Sequence, residues 1–335
     1  MLQFKNETPF QGAISLMPDV EGIDTLFAVV KATLLLGERL SLAEKQLPVT
    51  LSDEYHGEPG KSSIKNPSNV SLTKPATDVL LLGTAYPPRG RPVTQMDVSL
   101  KAGPLRKTIR VFGDRVWEKR GVVPSMSNPA PFESMPLIWE RAYGGLDHKG
   151  KELRAEVRNP VGRGYHSKDG EKDLNGSPLP NLEDPADLLT SWKQSPTPAC
   201  FAPICGHWEP RLSFAGTYDE RWQQERAPYL PTDFDSRFFQ LAPPGLITAG
   251  YLKPGEWIEA YGVTPSGSLR VQLPPVRIAV TYVVDGAAQL VPADLDTVLI
   301  EPDQNRLSLV WRTALRCDKK ALRVNEVRAA AQKAA

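Results

Sequence analysis

The chain has 335 residues, 41% hydrophobic and 24% charged, which is enough to bury a sizeable core and excludes wholesale disorder. Its 40 Lys and Arg balance 39 Asp and Glu for a net charge of +1, so it lacks the basic surplus of a nucleic-acid binder. No apolar run approaches the roughly 18 residues that span a bilayer, and 32 prolines favour short strands joined by fixed loops over long helices.

In chain order, residues 1–7 show neither a basic start nor a long apolar stretch, so no signal peptide is expected and the protein is read as cytoplasmic. Residues 26–30 and 32–36, separated by Lys31 and ended by Gly37, read as a buried strand or strand pair. Residues 77–83 form a second buried run. Met96, Val98 and Leu100 alternate before a turn at 101–104, and residues 108–112 complete a hairpin. Residues 1–120 are thus expected to form an N-terminal β lobe.

Residues 121–210 are punctuated by Pro and Gly, yet hold Phe132, Trp139, Tyr143, Tyr165 and Trp192. So many aromatics argue for an ordered, irregular layer packed on the sheets rather than a linker. Two short helices are expected. One covers 184–189, with Asp184 as cap and Pro185 at the first helical position. The other covers 217–222, where Thr217 and Glu220 have the spacing of a capping box.

Strands return at 269–273, 277–284, 297–300 and 307–311, which gives a C-terminal β lobe over 211–317. Residues 318–335 are rich in Ala, Lys and Arg and read as a frayed helical tail. The fold class is mainly β: sandwich- or barrel-like lobes around a long irregular middle with a few short helices.

Each catalytic or ligand motif is incomplete. Gly60-Lys61-Ser62 lacks the earlier glycine of a phosphate-binding loop, since position 55 is Tyr55. Glu171, Asp173, Asn175 and Gly176 imitate a calcium loop, but its twelfth position is Leu182. Cys200, Cys205 and His207 do not have common zinc spacing, and three cysteines suit reduced thiols. Asp233 and Asp235 could flank a metal, although such pairs arise by chance. With four histidines and no Gly-x-Ser-x-Gly elbow, the chain is read as a non-enzyme that needs no cofactor. The alternative is a carbohydrate-active or other hydrolase using paired carboxylates.

Aromatic residues interleaved with Arg, Asp and Gly are the recurrent pattern. Asp114, Arg115 and Trp117 read as a structural lock at a strand end, since buried polar groups must be satisfied. Tyr143, Trp208, Arg211, Tyr218, Trp222 and Arg237 are candidate partner-binding anchors, because Trp, Tyr and Arg dominate interface energetics.

These motifs occur in a distinctive order: residues 74–79, 113–117, 131–137, 140–145, 159–164, 179–183, 216–222 and 230–235, then 296–298 with Trp311-Arg312. Together, from about Phe4 to Arg316, they resemble a family of type VI secretion adaptors encoded beside toxins and spike proteins. The resemblance implies an adaptor or chaperone with two partners: a secreted effector carrying a PAAR-like domain, and the valine–glycine repeat spike protein. It implies no catalytic residues; the balanced charge and the lack of a long apolar run add the expectation of no nucleic-acid partner and no membrane insertion. A structural part of the secretion machine itself is the other alternative.

Overall fold

The computed structural model describes residues 2–120, 123–148, 152–167 and 174–333. Two sheets are built from β1 (Gln3–Asn6), β2 (Gln11–Pro18), β3 (Asp24–Leu35), β4 (Asp78–Leu81), β5 (Gln95–Ala102), β6 (Leu105–Phe112), β7 (Leu182–Glu183), β8 (Trp257–Tyr261), β9 (Ser268–Gln272), β10 (Val276–Val284), β11 (Ala287–Glu301), β12 (Arg306–Arg316) and β13 (Val324–Lys333). The larger sheet runs β1-β13-β10-β11-β12-β3-β2, with β4 parallel to β11 and the short strand Ser41–Leu42 on β3. Its two outermost strands, β1 and β2, are neighbours in sequence. Asn6 donates to the Phe10 carbonyl between them (2.7 Å), and the Phe4 ring lies opposite Gly12. The sheet is therefore nearly closed, like a barrel.

The smaller sheet runs β7-β6-β5-β8-β9. Alternating side chains of these strands, among them Val98, Leu100, Ile109, Val111, Ile258 and Ala260, join Leu80, Leu81, Val298 and Ile300 of the larger sheet in one buried cluster. Both sheets take strands from the first and last thirds of the chain, so those thirds share a core. The molecule is mainly β, as the alternation and proline content imply.

Of the two readings of residues 26–36, the single buried strand holds: every residue between the ends of β3 is buried, and the Lys31 ammonium donates to Thr50 Oγ1 at 3.1 Å. Two local expectations are corrected. Residues 184–189 are not helical. The Leu189 N–H is taken by the Glu183 carboxylate (2.7 Å), and Asp184 closes a single turn through Ala186 N and Asp187 N. The tail from 324 to 333 is a strand, not a frayed helix. It lies between β1, to which it is parallel, and β10, to which it is antiparallel. A bulge at Val283/Val284 shifts its phase so that Val324, Val327 and Ala329 all face inward. Partners on both sides outweigh the helical propensity of its alanines.

Two polar constellations hold these layers together, and both use segments of the ordered motifs. In the first, Lys74 and Asp78 form a buried ion pair at 2.8 Å, and Lys74 also donates to Thr297 Oγ1 (2.7 Å). Asp78 accepts from the backbone N–H groups of Leu241 and Ala242. Beside it, Arg312 pairs with Asp296 at 2.6 Å and caps the carbonyls of Asn69 and Ser71. Burial alone would raise the Asp296 pKa, but the Arg312 and Lys74 charges outweigh it and hold the carboxyl below its usual range.

The second constellation pins the middle layer. Arg115 lies 3.8 Å over the Phe112 ring, donates to the Pro180 carbonyl (2.8 Å) and pairs with the buried Glu183 carboxylate. Burial is the largest influence on Glu183 and leaves its pKa raised despite Arg115. Asp114 accepts from Asn181 and Arg141, and Trp117 packs with Leu174, Leu179 and Leu189. Asn159 donates to the carbonyls of Trp139 and Tyr143, both at 2.9 Å. Gly144, at φ +146°, brings its backbone so close to Asn159 that a Cβ there would stand 2.1 Å from the Asn159 oxygen. The described residues of 121–210 are thus an ordered layer.

Candidate functional site

Residues 212–239 leave this core as an arm with few regular elements. Its root is Arg211, whose buried guanidinium donates to the carbonyls of Ile204 (2.6 Å) and Phe238 (2.9 Å) and so ties the two ends of the arm together. A short helix, α1 (Glu220–Glu225), forms because the Asp219 carboxylate accepts from Trp222 N at 2.8 Å. Asp219 is the cap, two residues after the expected Thr217, and the helix begins correspondingly later. Thr217 instead donates through its N–H and hydroxyl to Asp233, across the base of the arm (3.0 and 2.7 Å). Gly216 permits that approach with φ +77°.

Further bonds stiffen the arm. The Trp222 indole donates to the Tyr229 carbonyl at 2.8 Å. Arg226 bridges the carbonyls of Leu230 and Val20, fastening the arm to the β2–β3 turn. Asp235 caps a 3-10 turn and binds the Arg237 guanidinium (2.6 Å), which lies 4.3 Å over the Phe214 ring.

The arm holds seven aromatic residues: Phe214, Tyr218, Trp222, Tyr229, Phe234, Phe238 and Phe239. None of them belongs to the buried core. Tyr218 and Trp222 meet edge-to-face at 4.7 Å, with Tyr218 53% exposed, and Phe234, Phe238 and Phe239 pack on one another at 5.4–5.7 Å. Rings held at a fixed position and half open to solvent lose little entropy when a partner covers them.

The candidate anchors therefore separate into two groups. Tyr218, Trp222 and Arg237 all lie on the arm, Tyr218 against Trp222 and Arg237 against Phe214. Tyr143 and Trp208 are buried, and Arg211 is buried at the arm's root; Trp208 packs edge-to-face against Trp139 at 6.0 Å. Those three side chains are buried within the layer and at the root of the arm and form no part of its exposed surface. Phe214, Tyr229 and the phenylalanine trio were not among the candidate anchors, although residues 233–239 carry the aromatic–arginine pattern. The signal available for them was their clustering around polar turn residues with no apolar periodicity.

The residues with ligand-like spacing are occupied locally. Cys200 and Cys205 are buried, and burial pushes both thiols up to about 12. The His207 ring accepts from the Trp208 indole at 3.0 Å, and burial lowers its pKa. Asp233 and Asp235 both sit low, Asp233 through its bonds from Thr217 and Asp235 through the Arg237 guanidinium. Lys61 pairs with Glu58 in a surface turn, where Ser62 caps Gly57 N. Glu171 and Asp173 lie outside the described residues, while Asn175 accepts from Lys119 N. Among the described residues no three His, Cys, Asp or Glu side chains are grouped to hold a metal, and no helix is long and apolar enough to cross a membrane.

No curated protein matches the chain, and no solved structure does. Residues 21–312, which contain both polar constellations and the arm but not β1, β2 or β13, match the model of the family described as uncharacterized proteins conserved in bacteria (DUF2169), and the chain belongs to that family.

Proposed function

We propose that this protein is a non-enzymatic adaptor that holds a type VI secretion effector, through a PAAR-like domain in the effector's N-terminal region, and loads it onto the valine–glycine repeat spike. The observation that carries the reading is the aromatic arm: seven rings outside the core, braced by the arm's own hydrogen bonds and ion pairs. Most of the ordered motifs are used in holding the sheets and middle layer together. Those at 216–222 and 230–235 are used to hold an exposed element in shape. A stiff surface with aromatic rings and an arginine suits recognition of a folded partner. The ordered motifs of the whole chain support the secretion context.

Replacing Tyr218 tests this reading, because its ring is exposed and its loss opens no core cavity. Tyr218→Ala is expected to melt as the wild type does. Its complex with the N-terminal region of the neighbouring effector should weaken by about thirtyfold, the equivalent of a typical hot-spot loss of about 2 kcal/mol. A thermal scan of the variant checks its stability and titration calorimetry on the two purified proteins checks the affinity; an unchanged affinity would remove the arm from the interface.

A further inference from the structure

The hairpin of β10 and β11 leaves one side of the larger sheet open. β11 pairs with β10 over residues 287–293 and with β12 only from Asp294 onward. Beyond Arg312, β12 pairs only with β3. The two strands therefore part at Asp294. Clefts of about 390 and 200 Å³ lie at the parting, and Tyr251, Pro292 and Asp294 line both.

The turn fixes which backbone groups face the opening. Asp285 and Gly286 both have positive φ (52° and 81°), as a two-residue type I′ turn requires. In such a hairpin the flanking residues, Val284 and Ala287, exchange hydrogen bonds, and alternate pairs follow. Ala287, Gln289, Val291 and Ala293 then bond to β10. The N–H and C=O of Ala288 and Leu290, and the C=O of Pro292, point to the side that no strand occupies among the described residues. Pro292 fits this phase, since an edge position is where a strand tolerates a missing N–H.

This edge has little to protect it. Residues 286–293 carry no charge, and Leu290 is 61% exposed, whereas free edges are ordinarily blunted by lysines or inward charges. Only another extended backbone offers donors and acceptors at the spacing of this ladder. At its end the Asp294 carboxylate has no ion-pair partner among the described residues. Burial and the nearby Asp296 charge both raise its pKa, so a cation would be favoured there.

We propose that residues 287–293 are a docking edge for an extended segment of the partner protein, uncharged over about four residues and flanked by a Lys or Arg that meets Asp294. This rests on the adaptor reading and adds a main-chain contact to it. Ala288→Pro removes one outward N–H and no bond to β10, so it should fold and melt like the wild type. Its affinity for the effector's N-terminal region should fall about tenfold, the worth of one lost hydrogen bond plus a blocked approach. Hydrogen exchange on the wild-type complex should show slowed Ala288 and Leu290 amides relative to the free protein. A complex in which both amides exchange as fast as in the free protein overturns the edge proposal and leaves the adaptor reading standing. A free protein that is already a dimer with both amides protected also overturns it, since a second copy then covers the edge. Failure of the wild type to bind the effector at all removes the adaptor reading, and this proposal falls with it.

Discussion

Asp78→Ala is expected to lose most of its soluble yield and to unfold at a much lower denaturant midpoint than the wild type. Asp78 is fully buried and accepts from Lys74 Nζ (2.8 Å), Leu241 N (2.9 Å), Ala242 N (3.1 Å) and Gln240 Nε2 (3.2 Å). Without the carboxylate, the Lys74 ammonium stays buried with Thr297 Oγ1 as its remaining close partner. Removing one member of a buried pair costs about 3–5 kcal/mol, against a total stability of about 5–15 kcal/mol. The double variant Lys74→Met with Asp78→Leu should recover only part of that loss, because the N–H groups of Leu241 and Ala242 would still lack an acceptor. Equilibrium unfolding followed by tryptophan fluorescence decides the matter. An Asp78→Ala midpoint equal to wild type would show that the pair does not hold the sheets.

Trp117→Ala should be comparably damaging, and Arg115→Ala somewhat less. Trp117 is 2% exposed and is the largest member of the small cluster under the middle layer. Truncating a buried Trp to Ala costs about 3–5 kcal/mol, from lost burial and the cavity left behind. Arg115→Ala strands the buried Glu183 carboxylate, whose pKa burial already raises, so stability should fall further as the pH rises and that group ionises. The expected outcome for both variants is reduced soluble protein without a specific loss of partner. A Trp117→Ala protein as stable as wild type but unable to bind the effector would instead make this motif a contact surface.

Much of the β architecture was legible because alternation is a local signal. Val98, Leu100, Ile109 and Val111 alternate in sequence and face one core. What sequence reasoning missed depended on distant partners or on a competing side chain close by. The run around Ala329 resembles a helix until β1 and β10 are present on either side. Asp184-Pro185 has the chemistry of a helix start, but the Glu183 carboxylate competes for the Leu189 N–H. The site was half legible for the same reason. Tyr218 and Trp208 sit in similar sequence surroundings, each followed closely by Glu and Arg, and only the fold makes one exposed and the other buried. The open side of β11 could not be read at all, since it depends on where β12 turns away.

The most direct measurement of the central claim is effector export from a strain lacking this gene, scored beside the toxic activity of the purified effector. An adaptor predicts that export of the neighbouring effector is lost and restored by the wild-type gene, while the purified effector is as toxic as before. Unchanged export in the deletion strain would contradict the adaptor reading, and binding confined to the effector's toxic domain would point to an immunity-like role instead.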